Sequence, residues 1–358
     1  MREKIDLLRS KNEGWGAISI LVELEEVYNY DKADLPSSDS VNRYLQEKGF
    51  IKPKTPKSDL PQELLSVKNS HDLWEMDAQG AVKVDGLGYI SMINIKDSKS
   101  KIYIMSFPVL VKGQKSQPKT DHYLWTLRLA FEEFGLPKAI QVDKDSVFID
   151  NTSKSPFPSK LHLFLLGLGI ELHFIQVSPP AKQAMVERSH QTIYNQVLKG
   201  KTYQTWQELF VNTNTRRGIL NKSYPCRTLN KKAPLQAFPK AIHSQRFYTI
   251  KREEKILKIK LIEQYLEKCI WHRKVSSAKT ISLKKVYYLK KAKPGTYVQI
   301  RFSAVNNVNK KLIFRDVNEL LLQEVIVKDF IKNLLNFPSC KELVVIKNDL
   351  FKNKNFPL

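Results

Sequence analysis

The sequence has 358 residues, of which 42% are apolar, and carries a formal net charge of +23. Its three cysteines lie too far apart in the chain for a disulfide framework, and no apolar run is long enough to span a bilayer. We therefore expect a soluble, cytoplasmic protein of two or three domains, without a signal peptide or a membrane partner. The charge favours a polyanionic partner, usually nucleic acid; a drift in composition towards lysine is the alternative.

The positive charge is concentrated in one part of the chain. Between Arg188 and Arg301 there are 26 Lys and Arg residues against five Asp and Glu residues. A drift in composition should spread evenly, whereas a surface that binds phosphates should concentrate its cations. The distribution therefore favours a binding surface in this third of the chain.

Residues 1–52 have apolar side chains at helical spacing, and four residues able to cap a helix, 37–40, precede a short helix that ends at Gly49. Two helices, a turn and a capped third helix predict a helix-turn-helix DNA-binding module; a helical bundle without DNA contacts is the alternative. Residues 53–69 begin with a stretch rich in proline and lysine and are interpreted as a linker.

From residue 70 the pattern changes to short apolar runs with strand character. Three strands come first and are followed by alternating helices and strands, which predicts a mixed sheet covered by helices, an α/β fold. The predicted elements are strands Leu73–Met76, Tyr89–Ile95 and Ile102–Val111, helix Asp121–Phe134, strand Ala139–Val142, helix Leu161–Leu168, strand Glu171–Val177 and a polar helix after Pro180.

The C-terminal part of the chain is divided into three segments. Residues 216–270 are predicted to form a basic, partly helical connector with a charged helix at Lys251–Leu266. In residues 271–328 alternating apolar positions return, which predicts a small, DNA-binding β-barrel. Residues 329–358 form a tail to which we assign no role.

Three acidic residues lie where a sheet can bring them together. Asp77 lies within or at the end of the first predicted strand, Asp143 directly follows Ala139–Val142, and Glu187 lies on the polar helix. Phosphodiester cleavage and strand transfer need charge neutralised on the attacking and leaving oxygens, which two divalent ions about 3.5–4 Å apart can do. Magnesium takes hard oxygen ligands and needs few carboxylates, so this residue type suits the chemistry.

The same residues resemble the catalytic core of DDE transposases and retroviral-type integrases, a family that includes many bacterial insertion-sequence transposases. The resemblance covers about residues 70–215 and rests on three motifs. Trp74-Glu75-Met76-Asp77 resembles the first-strand signature with its aspartate, Asp143-Lys144-Asp145-Ser146-Val147-Phe148 resembles D-N-G-S-E-F, and the segment 178–190 resembles the S-P-x-x-x-x-x-x-V-E-R-x-H helix. Residues 214–238, which include Arg216 and Arg217, resemble the segment that follows this core.

This resemblance implies a ribonuclease-H-like mixed five-stranded sheet with flanking helices. It implies a polynucleotidyl transferase that cleaves the ends of a mobile element and transfers them into target DNA with two Mg²⁺ or Mn²⁺ ions. Double-stranded DNA is then the partner, and the joining of two ends implies a homo-oligomer. The implied metal ligands and catalytic residues are Asp77, Asp143 and Glu187, and the expected DNA contacts are Lys182, Arg188, His190, Arg216 and Arg217.

Two positions in the second motif depart from the family pattern. Asp145 replaces the turn glycine, and Val147 replaces the glutamate that usually follows. Asp145 is therefore an alternative ligand to Asp143, although Asp143 directly follows the strand. Two other functions stay open: a catalytically degenerate DNA-binding protein derived from a transposase, and a nuclease that only hydrolyses DNA.

Overall fold

A computed structural model describes residues 1–51, 67–143, 147–148, 155–174, 184–305 and 309–335. Most of the predicted linker, the alternative ligand Asp145, the predicted DNA contact Lys182 and the tail after residue 335 lie outside the described residues.

The chain divides into two compact units. Unit 1 comprises residues 1–141, 175–250 and 339–358, and unit 2 comprises residues 142–174 and 251–338. The α-helices are α1 (Arg2–Lys11), α2 (Ala17–Glu26), α3 (Ser38–Glu47), α4 (Thr120–Phe134), α5 (Lys160–Gly167), α6 (Ala184–Ile193), α7 (Trp206–Lys222), α8 (Pro234–Ala237), α9 (Glu253–Ile256), α10 (Ile259–Lys268) and α11 (Phe330–Leu334). The strands are β1 (Leu73–Val84), β2 (Gly88–Asp97), β3 (Tyr103–Val111), β4 (Ala139–Val142), β5 (Glu171–Phe174), β6 (Ile270–Lys274), β7 (Thr280–Leu283), β8 (Lys285–Tyr288), β9 (Tyr297–Val305), β10 (Asn309–Arg315) and β11 (Leu321–Ile326).

The central sheet has the strand order β3-β2-β1-β4-β5. Strands β1, β2 and β3 are antiparallel neighbours, and β4 runs parallel to β1, with Leu73 opposite Ala139 and Glu75 opposite Gln141. Three antiparallel strands, a fourth strand parallel to β1 and a fifth beside it, with helices on the sheet, form the mixed five-stranded, ribonuclease-H-like α/β fold that the sequence predicted. The fold class is confirmed.

Apolar side chains fix α6 and α7 against the sheet. Ile90 and Met92 of β2 pack in one buried cluster with Ile193 at the end of α6 and Leu209 of α7. A π-helical turn, Tyr194–Leu198, continues α6 and adds Val197 to the same cluster. Burying an aliphatic side chain of this size stabilises the fold by about 1.5–3 kcal/mol, so this cluster holds the C-terminal end of α6 on the sheet.

Strand β1 and the predicted helix Lys251–Leu266 differ most from their predicted bounds. Strand β1 extends to Val84, well beyond Met76, because its second half pairs with β2 across a bulge between Gln79 and Val82. The helix predicted at Lys251–Leu266 is interrupted between α9 and α10, where the backbone N–H of Lys258 donates to the carbonyl of Gly167, 2.7 Å away. The charge pattern of that segment gives no sign of this long-range contact.

Helices α1, α2 and α3 share a small core of their own, built around Trp15, Ile20 and Leu45. In unit 1 the module also contacts α7 and the π-helical turn: Arg216 pairs with Glu23 at 2.6 Å, and Gln196 donates to the Ser19 hydroxyl at 2.6 Å. The predicted DNA-binding role of these helices stays a prediction.

Unit 2 contains a four-stranded antiparallel sheet in the order β11-β10-β9-β6 and a β7–β8 hairpin. Its core includes the fully buried side chains of Trp271, Ile300, Leu312 and Phe314. Whether these strands form a closed barrel stays a prediction. Among the described residues, no helix combines the length and the apolar character that crossing a bilayer would require.

Candidate active site

Asp77 lies in the middle of β1, on the polar face of that strand. Side chains alternate between the two faces of a strand, so Glu75, Asp77 and Gln79 share one face while Trp74 and Met76 are buried on the other. The Asp77 carboxylate accepts a hydrogen bond from the backbone N–H of Ala78 through Oδ1, at 2.8 Å. Its side chain is 21% exposed, which leaves it accessible to a ligand.

Helix α6 packs against β1 and β2 and brings His190 to Asp77. The His190 Nε2 atom lies 3.0 Å from Asp77 Oδ2, and the His190 ring is 12% exposed. The other ring nitrogen, Nδ1, lies 2.7 Å from the side-chain nitrogen of Asn94 on β2. The first-strand aspartate is therefore bound directly to the helix that carries Glu187.

Glu187 lies one turn before His190, in the first turn of α6. Residues three apart lie on the same side of a helix, and the helix dipole favours a carboxylate in the first turn. The Glu187 side chain is exposed. It therefore lies on the side of α6 that includes His190 and is open to solvent.

Asp143 directly follows β4, and it is exposed. Within unit 1, the residues before it pair with β1 up to Glu75, two residues before Asp77. Among the described residues, no three His, Cys, Asp or Glu side chains form a group that could hold a metal ion. The donor chemistry of Asp77, Asp143 and Glu187 nevertheless fits a divalent cation, because all three offer hard carboxylate oxygens.

Glu75 adds a second carboxyl group on the Asp77 face of β1. Burial raises the pKa of Glu75, and the opposing effects are a hydrogen bond from the Ser98 hydroxyl, at 2.9 Å, and the nearby charge of Lys101. Burial likewise lowers the pKa of the Lys101 ammonium group. This part of the sheet face is therefore a poorly solvated environment that disfavours isolated charges.

The residues expected to contact DNA have different surroundings. Arg188 is exposed on α6 next to Glu187. Arg216 lies over the Trp15 ring, with its guanidinium carbon 4.3 Å from the ring centroid, besides its ion pair with Glu23. A DNA contact by Arg188 or Arg216 stays a prediction.

Arg217 is buried, with a side chain that is 8% exposed. Its guanidinium group donates to both carboxylate oxygens of Glu133, at 2.9 and 2.7 Å, and to the carbonyl of Ile104, at 2.9 Å. These bonds give Arg217 a role in holding α7 to β3 and α4, and its DNA contact also stays a prediction.

Sequence reasoning missed Asn94. Asn94 is directly opposite Asp77 in the β1–β2 pairing, and its side chain is buried. Opposite residues in an antiparallel pair lie on the same face of the sheet, about 4.5–5.5 Å apart between Cβ atoms. A polar residue inside the apolar run Tyr89–Ile95 was the available signal, but its partner depends on a register that the sequence does not state.

Unit 2 contains a segment without acidic residues. From Ile270 to Val305 the chain has nine Lys and Arg residues and neither Asp nor Glu; we call this the basic segment. Three of its apolar and aromatic side chains are largely exposed, Val286 at 70%, Tyr288 at 58% and Tyr297 at 54%. Cations together with exposed aromatic rings suit phosphates and bases.

No family model matches the chain. The solved structures similar to it include the catalytic core domain of BIV integrase, at 13% identity and a TM-score of 0.34, covering 48% of this chain and 95% of that one. They also include the HTLV-2 integrase catalytic core domain in complex with magnesium, in a trimeric form (15% identity, TM-score 0.32) and a dimeric form (14%, 0.30). Each of these two covers 47% of this chain, and the chain covers 95% and 94% of them.

Proposed function

We infer that this protein is a DNA transposase that cleaves the ends of a mobile element and transfers them into target DNA. The observation that carries this proposal is the contact between Asp77 of the first strand and His190 of α6, the helix that also bears Glu187. Strand β4, which leads to Asp143, runs parallel to β1, and Gln141, two residues before Asp143, is opposite Glu75, two residues before Asp77.

In this proposal, Asp77, Asp143 and Glu187 would hold two Mg²⁺ or Mn²⁺ ions, and Asp145 is the alternative to Asp143. Such ions neutralise the charge on the attacking and leaving oxygens of a phosphodiester. Each oxygen of Asp77 accepts one N–H, from Ala78 or from His190, and a carboxylate oxygen has room for a second partner. The hydrogen bonds of Asp77 therefore orient the carboxylate without using up its capacity to bind a cation.

The rest of the chain supplies binding to double-stranded DNA. The basic segment neutralises phosphates, and Tyr288 and Tyr297 offer surfaces to sugars or bases. Arg188, Lys182, His190 and Arg216 are the proposed DNA contacts, whereas the buried Arg217 holds α7 to β3 and α4. Because two element ends must be joined in one reaction, the active form is a homo-oligomer.

A second candidate function is a DNA-binding protein derived from a transposase that has lost its activity. The observation that favours it is that two positions of the second motif, Asp145 and Val147, depart from the family pattern.

Strand transfer with the full-length chain distinguishes the two functions. A labelled duplex with the sequence that flanks the gene is mixed with a plasmid target and Mn²⁺. Wild type and the controls Asp85→Asn and Glu254→Gln, both of exposed residues, should form joined product. Asp143→Asn and Glu187→Gln should bind the duplex equally well and form none.

Equal activity of Asp143→Asn and wild type would eliminate Asp143 from the site. Tight binding of the duplex by wild type with no metal-dependent cleavage would establish the second candidate function instead.

A further inference from the structure

The side-chain nitrogen of Asn94 makes a hydrogen bond, but its side-chain oxygen does not. Its amide nitrogen lies 2.7 Å from His190 Nδ1, whereas its buried oxygen, Oδ1, has no hydrogen-bond partner among the described residues. An unpaired buried acceptor destabilises the fold, because its desolvation is not compensated by a hydrogen bond. In this orientation the Asn94 amide directs its NH₂ group to the His190 ring and leaves its oxygen without a hydrogen-bond partner among the described residues.

The chemistry of the amide determines where the neutral His190 ring carries its proton. An amide NH₂ group can only donate, so Nδ1 must accept, and the ring proton must be on Nε2. That proton points at Asp77 Oδ2, 3.0 Å away. In the opposite tautomer, Nε2 would present a lone pair to a carboxylate oxygen, and the two would repel each other.

We propose that Asn94 and His190 act as a positioning pair for Asp77: Asn94 fixes the tautomer of His190, and His190 fixes the orientation of the carboxylate. The inference rests on the proposed function, because it assigns the pair to the metal-binding aspartate. All three residues are held by regular structure. Asn94 lies opposite Asp77 in the β1–β2 register, and Ile193, the residue that ends α6, is buried in the sheet cluster.

The pair leaves Asp77 ready for a cation before any cation arrives. The Ala78 N–H engages Oδ1 and the His190 N–H engages Oδ2, so rotation of the carboxylate would break two hydrogen bonds at once. Partners that orient a metal-binding side chain in this way typically contribute 10- to 100-fold to metal affinity or activity.

Substitutions at His190 separate positioning from packing. Glutamine can accept from Asn94 and donate to Asp77, whereas leucine fills similar space and does neither. We expect His190→Leu to raise the Mn²⁺ concentration for half-maximal cleavage by about 10- to 100-fold, and His190→Gln to stay within about threefold of wild type. Gln191→Leu, at an exposed position of the same helix, is the matched control and should leave this midpoint unchanged.

A spectroscopic measurement tests the tautomer without requiring activity. In metal-free protein labelled with ¹⁵N-histidine, the His190 signal is identified by its absence in His190→Gln among the seven histidines. It should show a protonated Nε2 and a bare Nδ1. Asn94→Leu, which removes the donor and the unpaired oxygen together, should abolish this preference.

The two proposals fail in different ways. If wild type cleaves DNA but the leucine and glutamine variants share its Mn²⁺ midpoint, or if the proton is found on Nδ1, the positioning pair is wrong while the function stands. If wild type never cleaves DNA but the Nε2 tautomer depends on Asn94, the pair stands and the transposase activity is wrong.

Discussion

The surroundings of Asp77 in unit 1 and the basic segment in unit 2 use charge in opposite ways. Asp77 is one carboxylate with two defined hydrogen bonds, in a partly buried setting where each distance matters. The basic segment has nine cations and no carboxylate, and residues such as Lys285, Lys290 and Lys291 are exposed. Under the proposed function, the reaction centre depends on the geometry of a few atoms, whereas the affinity for DNA depends on the number of positive charges.

The largest expected effect is that of Asp77→Asn. The substitution keeps the volume and one acceptor but removes the charge, so strand cleavage should fall by about 10²–10³-fold while the affinity for duplex DNA stays unchanged. Single-turnover cleavage and a binding titration on the same duplex measure the two quantities, with Asp85→Asn as control. A parallel loss of affinity and cleavage would mean that Asp77 contributes to DNA binding. The two regions would then not have separate roles in cleavage and in affinity.

The second-largest effect is expected in the pH dependence of the stability of unit 2, to which His162 contributes. Burial against Phe174 and Tyr265 lowers the pKa of His162 to about 4, from an ordinary value near 6.5. Because the unfolded chain takes up a proton first, stability is lost as the pH falls from about 6.5 to 4, by about 3 kcal/mol if this shift is complete. Burial also lowers the pKa of His71 in unit 1, so that unit loses stability in the same direction.

Urea unfolding at several pH values measures the His162 contribution. His162→Leu should flatten the acid side of the profile for the transition of unit 2. An unchanged slope in that variant would refute the assignment to His162.

A smaller effect is expected for Arg217→Met, which tests a residue predicted to contact DNA. The substitution removes charged hydrogen bonds to Glu133 and Ile104 but keeps much of the apolar stem, so the free energy of unfolding should fall by about 2 kcal/mol. The salt dependence of DNA binding should not change. A shallower salt dependence at wild-type stability would support the DNA contact instead.

The smallest effect per residue is expected in the basic segment. Changing Lys285, Lys290 and Lys291 to Gln should reduce the slope of log affinity against log salt by roughly 0.9 for each lost phosphate contact. Cleavage at saturating DNA should be retained, and Lys83→Gln, an exposed substitution on β1, serves as control. If the triple variant bound DNA with wild-type salt dependence, this segment would not be the phosphate-binding surface.

Local sequence patterns were sufficient for most of the central sheet. The bounds of β4 agree with the predicted strand Ala139–Val142, and α4 begins one residue before the predicted helix and ends at Phe134 as predicted. Gly135 explains the clear stop of α4, since its φ of +74° lies in the left-handed region that favours glycine. Features fixed by contacts distant in sequence were not accessible, and the break between α9 and α10 is one of them.

The same limit applies to the candidate site. The sequence placed Asp77 on a strand and Glu187 on a helix because both follow from local periodicity. The pairing of Asp77 with Asn94 depends on the β1–β2 register, which is set by a bulge that no local pattern reveals.

Iron-directed cleavage of the protein backbone tests the central claim most directly. Fe²⁺ is substituted for Mg²⁺ in the full-length chain, and ascorbate with peroxide generates hydroxyl radicals at the bound ion. If Asp77, Asp143 and Glu187 hold the ions together, the chain should be cut next to all three residues, and excess Mg²⁺ should suppress all three cuts. Cuts at one of these residues alone, or at none of them, would contradict the shared metal site.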